Sequence, residues 1–406
     1  MSKKWLAREG ERWVREEIVT PEQLARLKSL YEKEDRGAGL LPLFGGLLLG
    51  LGILSFVAAN WQELPQLARL ALLLATMLGF YGAGWRLLRK GSETLGVALV
   101  SVGLFAFGGG VVLVGQMFHL VAYNALSMIV WAAAGIALAY LLRSRYLFLV
   151  SLALIGVAQG YSISAFGEFS YAALALLAVG LGPFVRKDAK AYPTLLWSLA
   201  VVVHALLLFL AEEWTFGWYF APLLLLYVAG DLAKPSAKTI ALQAAPLAAA
   251  FVFGLAAALV AGFEPGHWAV EERPAPLVFV PAFVALLAVS AFFKRRRGEI
   301  ASLVDWLPLL PLFYAPPGAI ATLYLAALFV YSLAVLLQGY AYESRTRINA
   351  GIALFLVTTM SAYFKLTWAF MDKSMFFLIG GVLLLLLSWL LNRRKRIALV
   401  RGKEEE

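Results

Sequence analysis

The sequence predicts an all-α protein, a polytopic integral membrane helical bundle of about fourteen transmembrane helices preceded by a small cytoplasmic helical hairpin. Of its 406 residues, 62% are hydrophobic and only 15% are charged, whereas soluble domains are about half apolar and a quarter charged. The apolar residues form long blocks, each close to the roughly 20 residues that a helix needs to cross a bilayer. The charge of the connections between these blocks alternates along the chain, as it does in multi-pass membrane proteins.

The segment that precedes the first apolar block, residues 1–38, is polar, which is the wrong order for a cleavable signal peptide. It contains a helix-start pattern, in which Thr20 is the N-cap, Pro21 the first helical residue and Gln23 the glutamine of a capping box. An apolar stripe follows, so we expect a cytoplasmic amphipathic hairpin lying against the membrane or the bundle. The alternative is an amphipathic leader on the bilayer surface.

The membrane region divides into residues 39–145, with about four spans, and residues 146–391, with about ten. Residues 392–406 are expected to form a basic and then acidic cytoplasmic tail. The eleventh span is the least regular, because it is short and carries Asp305. The predicted spans are 39–59, 66–88, 92–114, 124–142, 146–166, 168–185, 193–211, 216–233, 240–262, 275–293, 300–316, 317–340, 346–365 and 373–391.

The charged residues of the connections predict the orientation of the chain. If the N-terminus is cytoplasmic, the even-numbered connections face the cytoplasm, and these hold basic clusters such as residues 294–297. The odd-numbered connections carry few cations and several glutamates, such as Glu212 and Glu213. Both termini are therefore expected in the cytoplasm, and this topology accounts for the net charge of +10 without nucleic acid as a partner.

Several kinds of chemistry are not predicted. The chain has no cysteine, which excludes disulfides and thiol catalysis. Its histidines, His119, His204 and His267, lie far apart in the sequence, so we expect no metal site. It has no phosphate-binding loop, zinc-protease motif or serine nucleophile elbow. We therefore predict no catalytic residue and no cofactor, and whether the protein is an enzyme stays open, with a non-enzyme favoured.

A polar cluster is predicted at the outer ends of the early spans. Asn60 and Trp61 follow the first span, Arg69 opens the second, and Gln116 and His119 follow the third. If these spans pack together, an arginine, a histidine and two amides could bind an anionic lipid head group or a small anionic solute. The alternative is a set of hydrogen bonds that ties helix ends together.

A second candidate site is Asp305, roughly 9 Å into the eleventh span. Pro308 and Pro311 each remove a helical hydrogen bond and free a carbonyl. A carboxylate beside freed carbonyls could bind a cation or carry a proton. Alternatively, Asp305 pairs with the basic residues 294–297 near the inner interface.

A third candidate is an outer-face pair of Lys365 and Asp372, which could form an ion pair across one short connection. Snorkelling of the lysine is the alternative.

Small and amide residues inside the spans have structural interpretations. The glycines at 108–110 favour close helix packing, with an unwound, cavity-lining stretch as the alternative. Isolated polar residues inside spans are expected to bond between helices rather than to ligands; these are Gln159, His204, Gln243 and Gln338.

Several of these residues also carry a family resemblance. The Thr20-Pro21-Glu22-Gln23 leader, Asn60-Trp61-Gln62, Arg69 and Gly115-Gln116-Met117-Phe118-His119 resemble the predicted membrane proteins called domain of unknown function 2157. The distinctive part covers roughly residues 1–145, and the region from Arg347 to the basic tail is also similar. The resemblance implies a bacterial or archaeal plasma-membrane protein and implies no activity.

Three functions remain open from the sequence. The first is a transporter or flippase-like carrier of a small or lipid-linked anionic solute. The second is a non-transporting envelope sensor or assembly protein, whose N-terminal hairpin contacts a cytoplasmic protein. The third is a membrane enzyme acting on lipid-linked substrates, with Glu63, Glu168 or Asp372 as its acidic residue.

Overall fold

The computed structural model describes residues 10, 13–16, 18–24, 37–60, 65–260, 273–367, 378, 381–382 and 385–386. All regular secondary structure in this part of the chain is helical, which confirms the all-α prediction. The chain forms two compact units, Met1–Ala158 and Gln159–Glu406, and the boundary falls within one helix.

Unit 1 is built around a central, largely buried helix. Its helices are α1 (Gly37–Asn60), α2 (Gln66–Arg89), α3 (Glu93–Met117), α4 (Leu126–Leu141) and α5 (Arg145–Phe166), of which α5 continues into unit 2. Most of α3 is buried, whereas most of α2 is exposed. The exposed face of α2 is apolar, as expected for a helix side that contacts lipid.

Small residues let the helices of unit 1 approach closely. A Cβ atom added at Gly96 of α3 would lie 3.0 Å from the carbonyl oxygen of Gly84 in α2. At Gly108 the ring of Trp131 occupies the space of the missing side chain, and Trp131 Nε1 donates to the Leu104 carbonyl at 2.9 Å. Helix α3 is continuous through the glycines, so the packing interpretation is right and the unwound alternative is wrong.

Unit 2 mixes long helices with short and irregular ones. Its elements are α6 (Tyr171–Ala175), a π-helix (Leu176–Leu181), α7 (Gly182–Lys187), α8 (Tyr192–Ala211), a 3₁₀ turn (Phe216–Tyr219), α9 (Phe220–Leu232), α10 (Ala237–Val260), α11 (Pro276–Arg297), a 3₁₀ segment (Ile300–Asp305), α12 (Trp306–Leu309), a second 3₁₀ turn (Leu312–Tyr314), α13 (Pro317–Ala341) and α14 (Arg345–Thr367). Its core contains aromatic and aliphatic side chains from all the helices between α8 and α12, including Phe220, Tyr227, Phe279 and Phe313.

The eleventh predicted span is broken. Its first ten residues, Ile300–Asp305 and Trp306–Leu309, form a 3₁₀ segment and one short α-turn. At the rises of these helices this is roughly 18 Å, well short of the roughly 30 Å of hydrocarbon. Pro308 and Pro311 lie where the chain leaves helical geometry, because neither can donate a backbone hydrogen bond.

Apart from the broken eleventh, the first thirteen predicted spans agree closely with the boundaries of helical segments, but not all of these segments are long. Eight helices in the described part are long and apolar enough to cross a membrane, and four apolar segments are shorter. The fourteenth predicted span, 373–391, lies almost entirely outside the described residues. The total of about fourteen therefore stays a prediction.

The capping box predicted at Thr20 and Gln23 is present, whereas the hairpin itself stays a prediction. The backbone N–H of Thr20 donates to Gln23 Oε1 at 3.0 Å, and that of Gln23 donates to Thr20 Oγ1 at 3.2 Å, which is the reciprocal capping box. Leu24 is buried against Gly10. The rest of the hairpin, and the tail at 392–406, lie outside the described residues.

The packing of α3 predicts different effects for two neighbouring glycines. A Cβ at Gly108 would lie 2.0 Å from Trp131 Cε2, whereas a Cβ at Gly110 would meet nothing within 4 Å. We expect Gly108→Ala to destabilise the protein by about 1–3 kcal/mol through overpacking. Gly110→Ala should be neutral or slightly stabilising, because alanine favours helix. Thermal unfolding of the purified variants in detergent tests this, and equal melting temperatures would contradict it.

Candidate functional site

A buried ion pair lies between two helices of unit 2. Lys294 Nζ of α11 lies 3.0 Å from Asp231 Oδ1 of α9, and both side chains are only 3% exposed. Taking two charges out of water costs several kcal/mol each, and their attraction repays this only when further hydrogen bonds complete the site. The groups around the pair therefore decide whether it is stable.

The Asp231 carboxylate is surrounded by donors. Gln243 Nε2 of α10 donates to Oδ1 at 2.8 Å, and Ser290 Oγ of α11 donates to Oδ2 at 2.5 Å. Gln243 Nε2 also donates to the Tyr227 carbonyl at 3.1 Å, which fixes the orientation of its amide. With Lys294, three side chains from two helices satisfy this carboxylate.

The Lys294 ammonium has two partners besides Asp231. It donates to Ser302 Oγ of the 3₁₀ segment at 3.0 Å, and it lies 4.9 Å from the centre of the Tyr227 ring. The ring face attracts a cation, most strongly where water is excluded. Lys294 thereby connects α9, α11 and the broken eleventh segment.

A second carboxylate, Asp305, joins the same network. Tyr227 OH donates to Asp305 Oδ2 at 2.9 Å, so Tyr227 contacts Lys294 with its ring and Asp305 with its hydroxyl. The neighbouring Trp306 donates from Nε1 to Ser290 Oγ at 3.1 Å. Asp305 is half-buried and is attracted electrostatically by Lys294 and Arg347.

We call Tyr227, Asp231, Gln243, Ser290, Lys294, Ser302, Asp305 and Trp306 the ionic network. Sequence analysis found Asp305 and expected Gln243 to bond between helices, which it does. It missed Asp231 and Lys294. Lys294 was counted as a connection cation, but α11 continues to Arg297 and buries it. The sequence did contain a signal for this site, because Asp231 is an acidic residue inside the eighth apolar block.

The alternative interpretation of Asp305 placed residues 294–297 opposite it. In the structure Lys294 pairs with Asp231 instead, and the hydrogen bond to Asp305 comes from Tyr227. Arg297 donates to the Ala233 carbonyl at 2.6 Å. Among the described residues, no group of three or more carboxylates and histidines could hold a metal ion.

The outer cluster residues that are described share one end of unit 1. Gln66 Nε2, at the start of α2, donates to the Met117 carbonyl at the end of α3, and Arg69 lies one turn further along α2. Helix α1 runs parallel to α3, since Gly46 faces Ala98 and Gly50 faces Phe105.

The side chains of this end differ in exposure. Arg69 is half-buried, whereas Gln116 and His119 are exposed. Asn60 ends α1, but its side chain lies outside the description, as does all of Trp61. Arg69, Gln116 and His119 therefore lie near one another, and ligand binding there stays a prediction.

The backbone gives His119 a structural role as well. It terminates α3 in the left-handed conformation, with φ of 51°, and Leu120 N donates to the Gly115 carbonyl at 2.8 Å. This is the helix-ending bond of the Schellman type. Arg143, Glu213 and Glu343 end other helices with the same positive φ. The position of His119 therefore agrees with the alternative in which these residues order helix ends.

Lys365 is half-buried and donates from Nζ to the Ala258 carbonyl in α10 at 2.9 Å. Asp372 lies outside the described residues, so the predicted pair is not tested. Gln338 bonds between segments as expected, donating to the Ala301 carbonyl at 2.9 Å. His204 instead bonds the Ala200 carbonyl of its own helix, which contradicts the interhelical prediction for that residue.

The buried pair predicts non-additive effects on stability. Asp231→Asn or Lys294→Met alone leaves an uncompensated buried charge, and we expect each to cost about 3–5 kcal/mol. The double variant removes both charges and should lose clearly less than the sum. Unfolding in detergent measures the coupling, with Arg295→Met as control because Arg295 is exposed on the same turn. Additive losses would show that the pair does not form.

Comparison with known proteins assigns only the first part of the chain. A family model described as "Predicted membrane protein (DUF2157)" matches residues 11–148, about a third of the sequence. No curated protein and no solved structure matches the chain. The resemblance expected from the leader, the Asn-Trp element and the Gln-Met-Phe-His element is thereby confirmed, and residues 11–148 carry the sequence pattern of this family of predicted membrane proteins.

Proposed function

We propose that this protein is a membrane carrier for a small or lipid-linked anionic solute, driven by a cation or proton that binds at the ionic network. The observation that supports this most is the buried Asp231–Lys294 pair beside the short eleventh segment, in which a 3₁₀ stretch changes to an α-turn after Asp305 and the helix ends at Leu309. We place the carrier in a bacterial or archaeal plasma membrane, with both termini in the cytoplasm.

The energetic cost of the network favours a functional role. Buried ion pairs can often be replaced by apolar residues of similar volume without loss of stability, so such a pair is weak evidence for a stabilising purpose. Charged residues within membrane spans are rare and mark ion paths, proton relays or substrate sites. Here Lys294 and Asp305 both contact Tyr227, and Lys294 also pairs with Asp231.

The broken segment supports a carrier in particular. Carriers form their sites from discontinuous helices, whose freed backbone groups and helix ends contact the solute or the coupling ion. In this chain the break at Ile300–Asp305 and Trp306–Leu309 supplies both Asp305 and Ser302 to the network. The outer cluster around Arg69 would then be an entry site for an anion.

The other two hypotheses have less support. The sensor or assembly hypothesis depends on the N-terminal hairpin, most of which lies outside the described residues. The enzyme hypothesis depends on Glu63, Glu168 or Asp372. Of these, only Glu168 is described, and its backbone carbonyl accepts from Ser162 Oγ.

Reconstituted vesicles test the proposal. One set contains a pH-sensitive dye and receives inorganic phosphate, sulfate or small carboxylates, and a second set carries a dye-labelled anionic phospholipid whose flipping is followed. We expect flux above that of protein-free vesicles in one set. Asp305→Asn and Lys294→Met should lower it about tenfold or more, the effect of losing about 1.4 kcal/mol of barrier stabilisation.

Arg295→Met should transport at the wild-type rate, because its side chain is exposed and takes no part in the network. If no solute or lipid in either set moves faster than in protein-free vesicles, or if the network variants transport normally, the carrier proposal is wrong.

A further inference from the structure

The two carboxylates of the ionic network differ in their access to a proton. Asp231 is 3% exposed and accepts from Lys294, Gln243 and Ser290. Asp305 is half-buried and accepts a hydrogen bond from Tyr227. A proton arriving from water therefore finds a free acceptor position on Asp305, whereas on Asp231 it would have to displace a donor.

The chemistry of the surrounding groups does not suit a metal cation. A hard cation such as sodium needs several oxygen ligands. The groups aimed at the carboxylates are donors instead: the ammonium of Lys294, the amide N–H of Gln243 and the hydroxyls of Ser290 and Tyr227. A proton needs only one lone pair, so it fits where a metal ion does not.

The charge balance links proton binding to an anion. When all three groups are ionised, Asp231, Asp305 and Lys294 carry a net charge of −1, which repels an anionic solute. A proton on Asp305 brings this charge to zero and removes the carboxylate that attracts Arg347. The titratable and charged groups that face Asp305 are Tyr227 and Asp231 from α9, Lys294 from α11, Tyr331 from α13 and Arg347 from α14.

We infer that Asp305 is the proton-binding group of the carrier, and that the solute carried with the proton is an anion, so that this inference rests on the proposed function. Asp305 takes a proton from water and becomes a neutral carboxylic acid, while the Lys294–Asp231 pair stays intact. The site, now without net charge, then accepts an anion. On release, the acid returns the proton to water and the carboxylate is restored.

Infrared difference spectroscopy of the purified protein tests this without transport. Spectra are taken in sodium-free buffers between about pH 3 and about pH 9, which brackets the ordinary carboxyl pKa of about 4. Other carboxyl groups also give C=O bands at low pH, so each variant is compared with the wild type at every pH. We expect a carboxylic acid C=O component that disappears as the pH rises. This component should be missing in Asp305→Asn, shifted in Asp305→Glu and unchanged in Arg295→Met, whose side chain is exposed.

Two results would overturn the inference. One is a titrating C=O band that is the same in the wild type and in Asp305→Asn and that does not shift in Asp305→Glu. The other is loss of the band when sodium chloride is added at constant low pH, since this would show that a metal ion competes at Asp305. Neither result bears on vesicle transport, so failure of the inference is distinguishable from failure of the carrier proposal.

Discussion

The contact between Lys294 and Asp231 is the interaction around which the polar interior of unit 2 is arranged. It joins α9 to α11 at 3.0 Å, in a region where neither side chain has access to water. Through Gln243 it fixes the start of α10, and through Ser302 it holds the 3₁₀ segment that begins the broken eleventh span. Tyr227 belongs to the aromatic core of the unit, and Trp306 packs against that core. Low polarity strengthens each of these bonds and raises the cost of losing any one of them.

The broken segment depends on this network and on a few further polar contacts. In so short a segment most backbone groups lie in the first or last turn, where they have no partner within the helix, and in a membrane each must find one. Gln338 of α13 donates to the Ala301 carbonyl, and Ser302 Oγ donates to the Glu299 carbonyl at 2.7 Å. At the other end Arg273 donates to the carbonyls of Phe313 and Ala315. These contacts let Asp305 stand at a helix break without destabilising the bundle.

Much of the fold could be predicted from the sequence, because the width of a bilayer fixes the length of an apolar block. The capping box at Thr20 and Gln23 was equally predictable, since both of its bonds join residues three apart. Local irregularities of the helices could not be predicted in this way. The π-helix at Leu176–Leu181 has a carbonyl, at Leu177, that accepts from Trp197 of α8, and no local pattern indicates such a partner.

The site could be predicted only in part, because only part of it is a local sequence pattern. Asp305 beside two prolines is a local pattern, and it lies in the network as a candidate should. Asp231 and Lys294 are 63 positions apart in the chain, and their pairing follows only from the packing of α9 on α11. In the sequence, a basic residue at the end of an apolar block looks like part of a connection. Lys294 is buried because α11 continues for one more turn, to Arg297.

The most direct test of this account is an experimental map of the purified protein at a resolution that shows side chains, for example by electron cryo-microscopy. The account predicts the Lys294 ammonium within hydrogen-bonding distance of the Asp231 carboxylate, with Tyr227 placed between Lys294 and Asp305. A map in which Lys294 points away from α9 toward lipid head groups or water, with Asp231 bonded elsewhere, would contradict it.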